Sequence, residues 1–177
     1  GLPDPLVTTI FQDRDGYLWF TTGGGGACRF DGHEFFTITA DDGLTSNATS
    51  AVAQTPDGAI WIGLGAPVGL ARLVGEQLTV YTVTDGLIGT DVQALHVDPQ
   101  GSLWIGSDMG LTRLRDGHLR HFTIADGLPS GEVWSIIDDG EGGLFVGTTA
   151  GVVRHDGQRV VAPPHPGMRS ISVRSVL

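Results

Sequence analysis

His118 and His121 stand three residues apart in the run DGHLRHFTI, where two imidazoles come nearest to metal-ligand spacing. The run alternates like a strand, and an offset of three sends the two side chains to opposite faces, so they do not share a cation. The turns DRDG (13–16), TPDG (55–58) and DPQG (98–101) offer carboxylates that suggest calcium. They are too short for a calcium loop and lack its distal bidentate Glu, so turn formation accounts for them. A single cysteine, Cys28, excludes an internal disulfide and a multi-cysteine metal site, and suits a small buried position. No Gly-x-Ser-x-Gly elbow, Walker loop or His-Glu-x-x-His is present, and nothing nominates a nucleophile. No catalytic residue, metal or cofactor is therefore expected. Ten Lys and Arg against twenty Asp and Glu, a net charge of -10, argue against a nucleic-acid partner.

The elements that hold these residues recur. The chain aligns on itself from Gly1, Gly43, Gly86 and Gly127, and each unit reaches Trp19, Trp61, Trp104 or Phe145 after 18 residues. The period of 41 to 43 residues lies in the range of propeller blades. Helical repeats of that length need apolar residues at 3.6 spacing, which is missing here. Each unit instead has four short runs rich in β-branched and aromatic residues, separated by turn residues. A lone four-stranded blade has two apolar faces to cover, so blades stack around an axis with the recurring Trp between neighbours. The expected fold is all-β: a β-propeller fragment of four blades, at 1–42, 43–85, 86–126 and 127–166, plus the first strand of a fifth, truncated blade at 167–177.

The phrases DGLPSGEVWSIIDD, QDRDGYLWFTT, SLWIGSDMGLTRL and RFDGHEFFTIT resemble the two-component regulator propeller repeat, about four times over. The resemblance implies a bacterial sensor region, periplasmic or otherwise extracytoplasmic, with a histidine kinase or diguanylate cyclase output outside this chain. YLWFTT at 17–22 also echoes propeller lyases of the streptogramin-inactivating type, but their catalytic residues cannot be placed here position by position. A non-catalytic ligand sensor is the leading expectation, with a protein-interaction scaffold and a lyase as alternatives. No run of 18 apolar residues and no signal-peptide pattern occur, so no membrane span is expected in this chain. The truncated fifth unit suggests a piece of a longer protein, forming an open arc whose blade edges could self-associate.

What recurs in every unit reads as architecture, and what occurs once is a candidate for chemistry. Arg29, Arg72, Arg113 and Arg154, spaced by 43, 41 and 41, recur and are expected to cap carbonyls or pair with a loop Asp. Length varies in the links between second and third strands, at 21–27, 63–69, 106–110 and 147–151. Antiparallel order puts these links on the same face as the blade connectors, and loops on a rigid scaffold usually carry specificity. The ligand-binding candidates on that face are Asn47, Asp91, Asp108, Met109, Glu132 and Trp134. Trp134 aligns with Thr8, Ser50 and Gln93, and its indole suits stacking on a sugar ring or filling an inter-blade gap. A small molecule or oligosaccharide is the expected ligand. His96 replaces Phe11, Ala53 and Ile137 as a core or channel histidine, while His33, His155 and His165 are expected in turns or a Pro-rich link.

Overall fold

The computed structural model describes residues 1–67 and 69–161; the expected fifth-blade strand at 167–177, and His165, lie outside them. Among the described residues, sixteen strands form four sheets, each antiparallel in chain order. Blade 1 holds β1 (Val7–Gln12), β2 (Leu18–Thr22), β3 (Ala27–Phe30) and β4 (Phe35–Ile38). Blade 2 holds β5 (Thr49–Gln54), β6 (Ile60–Leu64), β7 (Leu70–Val74) and β8 (Gln77–Tyr81). Blade 3 holds β9 (Val92–Val97), β10 (Leu103–Ser107), β11 (Leu111–Arg115) and β12 (His118–Phe122). Blade 4 holds β13 (Val133–Asp138), β14 (Leu144–Thr148), β15 (Gly151–His155) and β16 (Val160–Val161). The first strands lie side by side, β1 on β5, β5 on β9 and β9 on β13, which makes them the inner strands.

Because strand side chains alternate, each blade has two faces, and the core forms where unlike faces meet. Trp19 and Ile38 of blade 1 pack on Val52, Ile60 and Ile62 of blade 2. Trp61 and Leu70 of blade 2 pack on Leu103 and Ile105 of blade 3, and Trp104 and Phe122 pack on Ile136, Leu144 and Val146 of blade 4. Every interface thus sets the Trp-bearing face of one blade against the aliphatic face of the next.

A buried indole N–H needs an acceptor. Trp19 Nε1 donates to Asp13 Oδ2 at 2.7 Å, Trp104 Nε1 to Asp98 Oδ2 at 2.8 Å, and Trp61 Nε1 to Thr55 Oγ1 at 2.9 Å. The other carboxylate oxygen organises the turn itself: Asp98 Oδ1 accepts from Ser102 N, and Asp13 Oδ1 from Asp15 N and Tyr17 N. Phe145 has no N–H to offer, and in its blade Arg154 Nε occupies Asp139 Oδ2 at 2.5 Å instead. The other recurring arginines vary in the same spirit: Arg72 pairs with Asp57, Arg113 donates to the Gly157 carbonyl, and Arg29 lies over the Tyr17 and Phe36 rings.

Connectors between blades are short 3-10 turns, Ala40–Asp42, Val83–Asp85 and Ile124–Asp126, each closed by a capping box from Thr39, Thr82 or Thr123. Each ends at a glycine with φ near 100°, followed by a buried leucine, Leu44, Leu87 or Leu128. In the Gly-rich link of blade 1, Gly26 has φ 85° and a Cβ there would strike the Ile38 carbonyl, so close packing explains this glycine. His155 departs from expectation: it ends β15, fully buried, at the register position where other blades carry Phe30, Leu73 and Leu114.

Candidate functional site

At the head of each inner strand one main-chain contact repeats. The carbonyls of Leu6, Ala48, Asp91 and Glu132 accept from the amides of Gly23, Gly65, Asp108 and Thr149 at 2.9 to 3.2 Å. The connector and the link between second and third strands are thereby joined on one face of every blade. The backbone does the same job four times, while the side chains at this position run Leu, Ala, Asp, Glu. The two acids fall in consecutive blades.

Asp108 reaches back to the connector of its own blade, its Oδ1 accepting from Thr90 N at 2.9 Å and Asp91 N at 3.2 Å. Asp91 Oδ2 accepts from Gln93 Nε2 at 2.6 Å. Burial, and then the negative charge of Asp108, push the Asp91 carboxyl above the usual range for an aspartate. Asp108, Met109 and Glu132 line one shallow pocket of about 500 Å³ between the link of blade 3 and the connector of blade 4. Met109 is 59% exposed. Its remaining polar walls are hydroxyls: Ser130 and Thr149 are hydrogen-bonded at 2.8 Å, and Thr123 stands opposite on the connector. Sequence reasoning passed over these hydroxyls because Ser130 aligns with Ser46 and reads as turn composition.

Asn47, Asp91 and Trp134 do not line this pocket. Asn47 precedes the repeated carbonyl position by one residue, and its side-chain oxygen accepts from Ala40 N at 2.7 Å, supporting the connector turn. Trp134 is the half-buried residue left out of the ladder at a β-bulge between Val133 and Ser135. Bulges fall at the same place in β1, β5 and β9, at Thr8, Ser50 and Gln93. Two of these residues tie neighbouring inner strands together, Thr8 Oγ1 donating to the Thr49 carbonyl at 2.9 Å and Ser50 Oγ to the Val92 carbonyl. Toward the other end of the inner strands, His96 Nε2 lies 3.2 Å from Asp138 Oδ1 of the next blade. His118 and His121 have separate partners, the Asp116 carbonyl and Thr112 Oγ1. No helix among the described residues is long and apolar enough to cross a membrane.

The family model of the two component regulator propeller matches residues 1–24, 86–109 and 127–150, each match starting at the opening glycine of a unit. No curated protein matches the chain significantly. Among solved structures, the extracellular domain of a hybrid two component system from B. thetaiotaomicron superposes with TM-score 0.80 at 19% identity, over 94% of this chain and 24% of that one. A second such domain from the same organism gives TM-score 0.80 at 19% identity, over 97% of this chain and 25% of that one. Virginiamycin B lyase from Staphylococcus aureus gives TM-score 0.73 at 16% identity, over 94% of this chain and 58% of the lyase. Identities this low carry the fold and leave the chemistry to the site, and this chain spans about a quarter of the length of the two sensor domains. It is an all-β chain of four propeller-type blades, and the two component regulator propeller model matches it within the first, third and fourth.

Proposed function

We propose that this chain is part of the non-catalytic, ligand-sensing region of a bacterial two-component-type signalling protein, acting outside the cytoplasm. Its four units, 1–42, 43–85, 86–126 and 127–166, each serve as one blade, and the output domain lies elsewhere in the parent protein. The family match and the likeness to extracellular sensor domains support the class. One observation carries the site: Glu132, at the repeated main-chain position of blade 4, lines one pocket with Asp108 and Met109 of blade 3. Carboxylates and hydroxyls beside an apolar thioether suit a polyhydroxylated small molecule or oligosaccharide, whose hydroxyls donate to the acids while a ring face meets Met109.

Binding there would join the link of blade 3 to the connector of blade 4 and bias their relative packing, the differential contact that a two-state output requires. Calorimetric titration of the chain with a panel of neutral oligosaccharides tests this. At least one is expected to bind, with affinity falling about tenfold in Glu132→Ala, the loss of a charge-assisted hydrogen bond. A panel that leaves the chain unmoved, or binding indifferent to Glu132→Ala and Met109→Ala, overturns the site.

A further inference from the structure

Another cavity lies away from that face. A cleft of about 630 Å³ separates blades 2 and 3, and its lining draws nothing from the inner strands β5 and β9. That volume falls within the range of small-molecule sites. Trp61 and Tyr81, with ring centroids 5.7 Å apart, form one wall, and Leu103, Leu114 and Leu119 the other.

The gaps between blades 1 and 2 and between blades 3 and 4 hold about 480 and 400 Å³, and the outer strands differ in what they place there. At the interface of blades 3 and 4, Arg113 reaches across to the Gly157 carbonyl at 2.8 Å, and Arg120 beside it lies over the Phe122 ring. Between blades 1 and 2, Phe36 stands next to Arg29 and lines the gap. The register places Thr79 at the corresponding position of blade 2, opposite Arg72. Thr79 is too short to cover the gap. Arg72 turns back onto Asp57 of its own blade at 2.7 Å and lies over the Trp61 ring at 5.6 Å.

The polar lining has a sign. Asp57, Asp85 and Asp116 face a single guanidinium, Arg72, which Asp57 already neutralises. Arg115 lies 3.6 Å from Asp116, but that carboxylate is 88% exposed, where screening leaves such a pair little strength. We infer that this cleft is a second binding site, for a small amphipathic cation: an aromatic or aliphatic body held between the Trp61 and Leu114 walls, with an ammonium group among the carboxylates at the rim. Aromatic faces and carboxylates both favour an organic ammonium over a neutral or anionic analogue.

The test uses three probes of one shape, phenethylammonium, phenethyl alcohol and 3-phenylpropanoate, titrated into the full chain with the Trp61 indole N–H followed by NMR. Phenethylammonium alone is expected to shift that signal saturably. Asp116→Asn, which keeps the shape and suits the positive φ of 49° at this residue, should weaken it about threefold. Thr79→Phe, an exposed change that copies Phe36, should abolish it while leaving the melting temperature in place. Equal response to the three probes, no saturable shift, or binding that survives Thr79→Phe overturns the inference. The loop-face site is read separately through Glu132, so either proposal can fail while the other stands.

Discussion

His155 is a buried imidazole in an aliphatic position. Its ring meets Trp104 and Phe122 edge-on, with centroids at 4.8 Å and 4.4 Å, and its Nδ1 accepts from the Gly157 amide at 3.0 Å. That bond fixes the neutral, Nε2-protonated tautomer. Burial pushes its pKa down to about 4, from an ordinary value of 6.5. Above pH 6.5 neither the folded nor the unfolded state carries the proton and stability is unaffected. Between 6.5 and 4 the unfolded chain takes up the proton and the folded chain does not, so stability falls with pH, by an amount on the order of 2 kcal/mol after allowance for screening. Urea denaturation across this window should show that slope in the wild-type chain and a flatter one in His155→Leu. A slope unchanged by the substitution assigns the acid sensitivity to other groups. Sequence alone set His155 in a turn because its neighbours Asp156 and Gly157 read as turn residues; the repeat register, which aligns it with Leu73 and Leu114, was the better guide.

At the scale of elements, the connector is the part on which blade geometry turns. Each 3-10 turn has three residues, too few to persist alone, so its capping box and the leucine behind it supply the order. Thr82 Oγ1 accepts from Thr84 N while Asp85 Oδ2 receives the Thr82 amide. Thr82→Ala should cost about 1 kcal/mol, a fall of about 3 °C in Tm. A change within error would mean that Leu87 alone holds the connector. The four-stranded plan and the Trp positions were legible because they recur, and recurrence exposes what packing requires. The loop pocket was legible in part: Asp108, Met109 and Glu132 meet there, whereas Asn47 is engaged by the connector turn and Trp134 sits at a bulge. The cleft between blades 2 and 3 left no local signal. Its walls come from two blades, and the position that differs beside it, Thr79 opposite Arg72, is one that only strand pairing reveals.

Among the described residues, three interfaces pair the Trp-bearing face of one blade with the aliphatic face of the next, and the corresponding face of blade 1 is left exposed. Ile10 is 63% exposed, whereas its counterparts Val52 and Ile136 are 5% and 7% exposed. Beside it lie Phe20, Phe30 and Phe35, the latter two stacked at 4.5 Å. A contiguous apolar face of this kind drives association. Light scattering is therefore expected to show mass rising with concentration, and Ile10→Lys to return the chain to a monomer. A wild-type chain that stays monomeric at every concentration contradicts the prediction.

The bulge in each inner strand has a consequence for how such a molecule can diversify. Thr8, Ser50, Gln93 and Trp134 fall where the ladder shifts register, so pairing within the blade places no demand on their side chains, and those of Thr8 and Ser50 bond instead to the next inner strand. Hydroxyl, carboxamide and indole are all tolerated there within a single chain. Each blade thus carries one position where inheritance can try a new functional group while its own ladder stays put, like a letter changed in a word whose spacing is fixed.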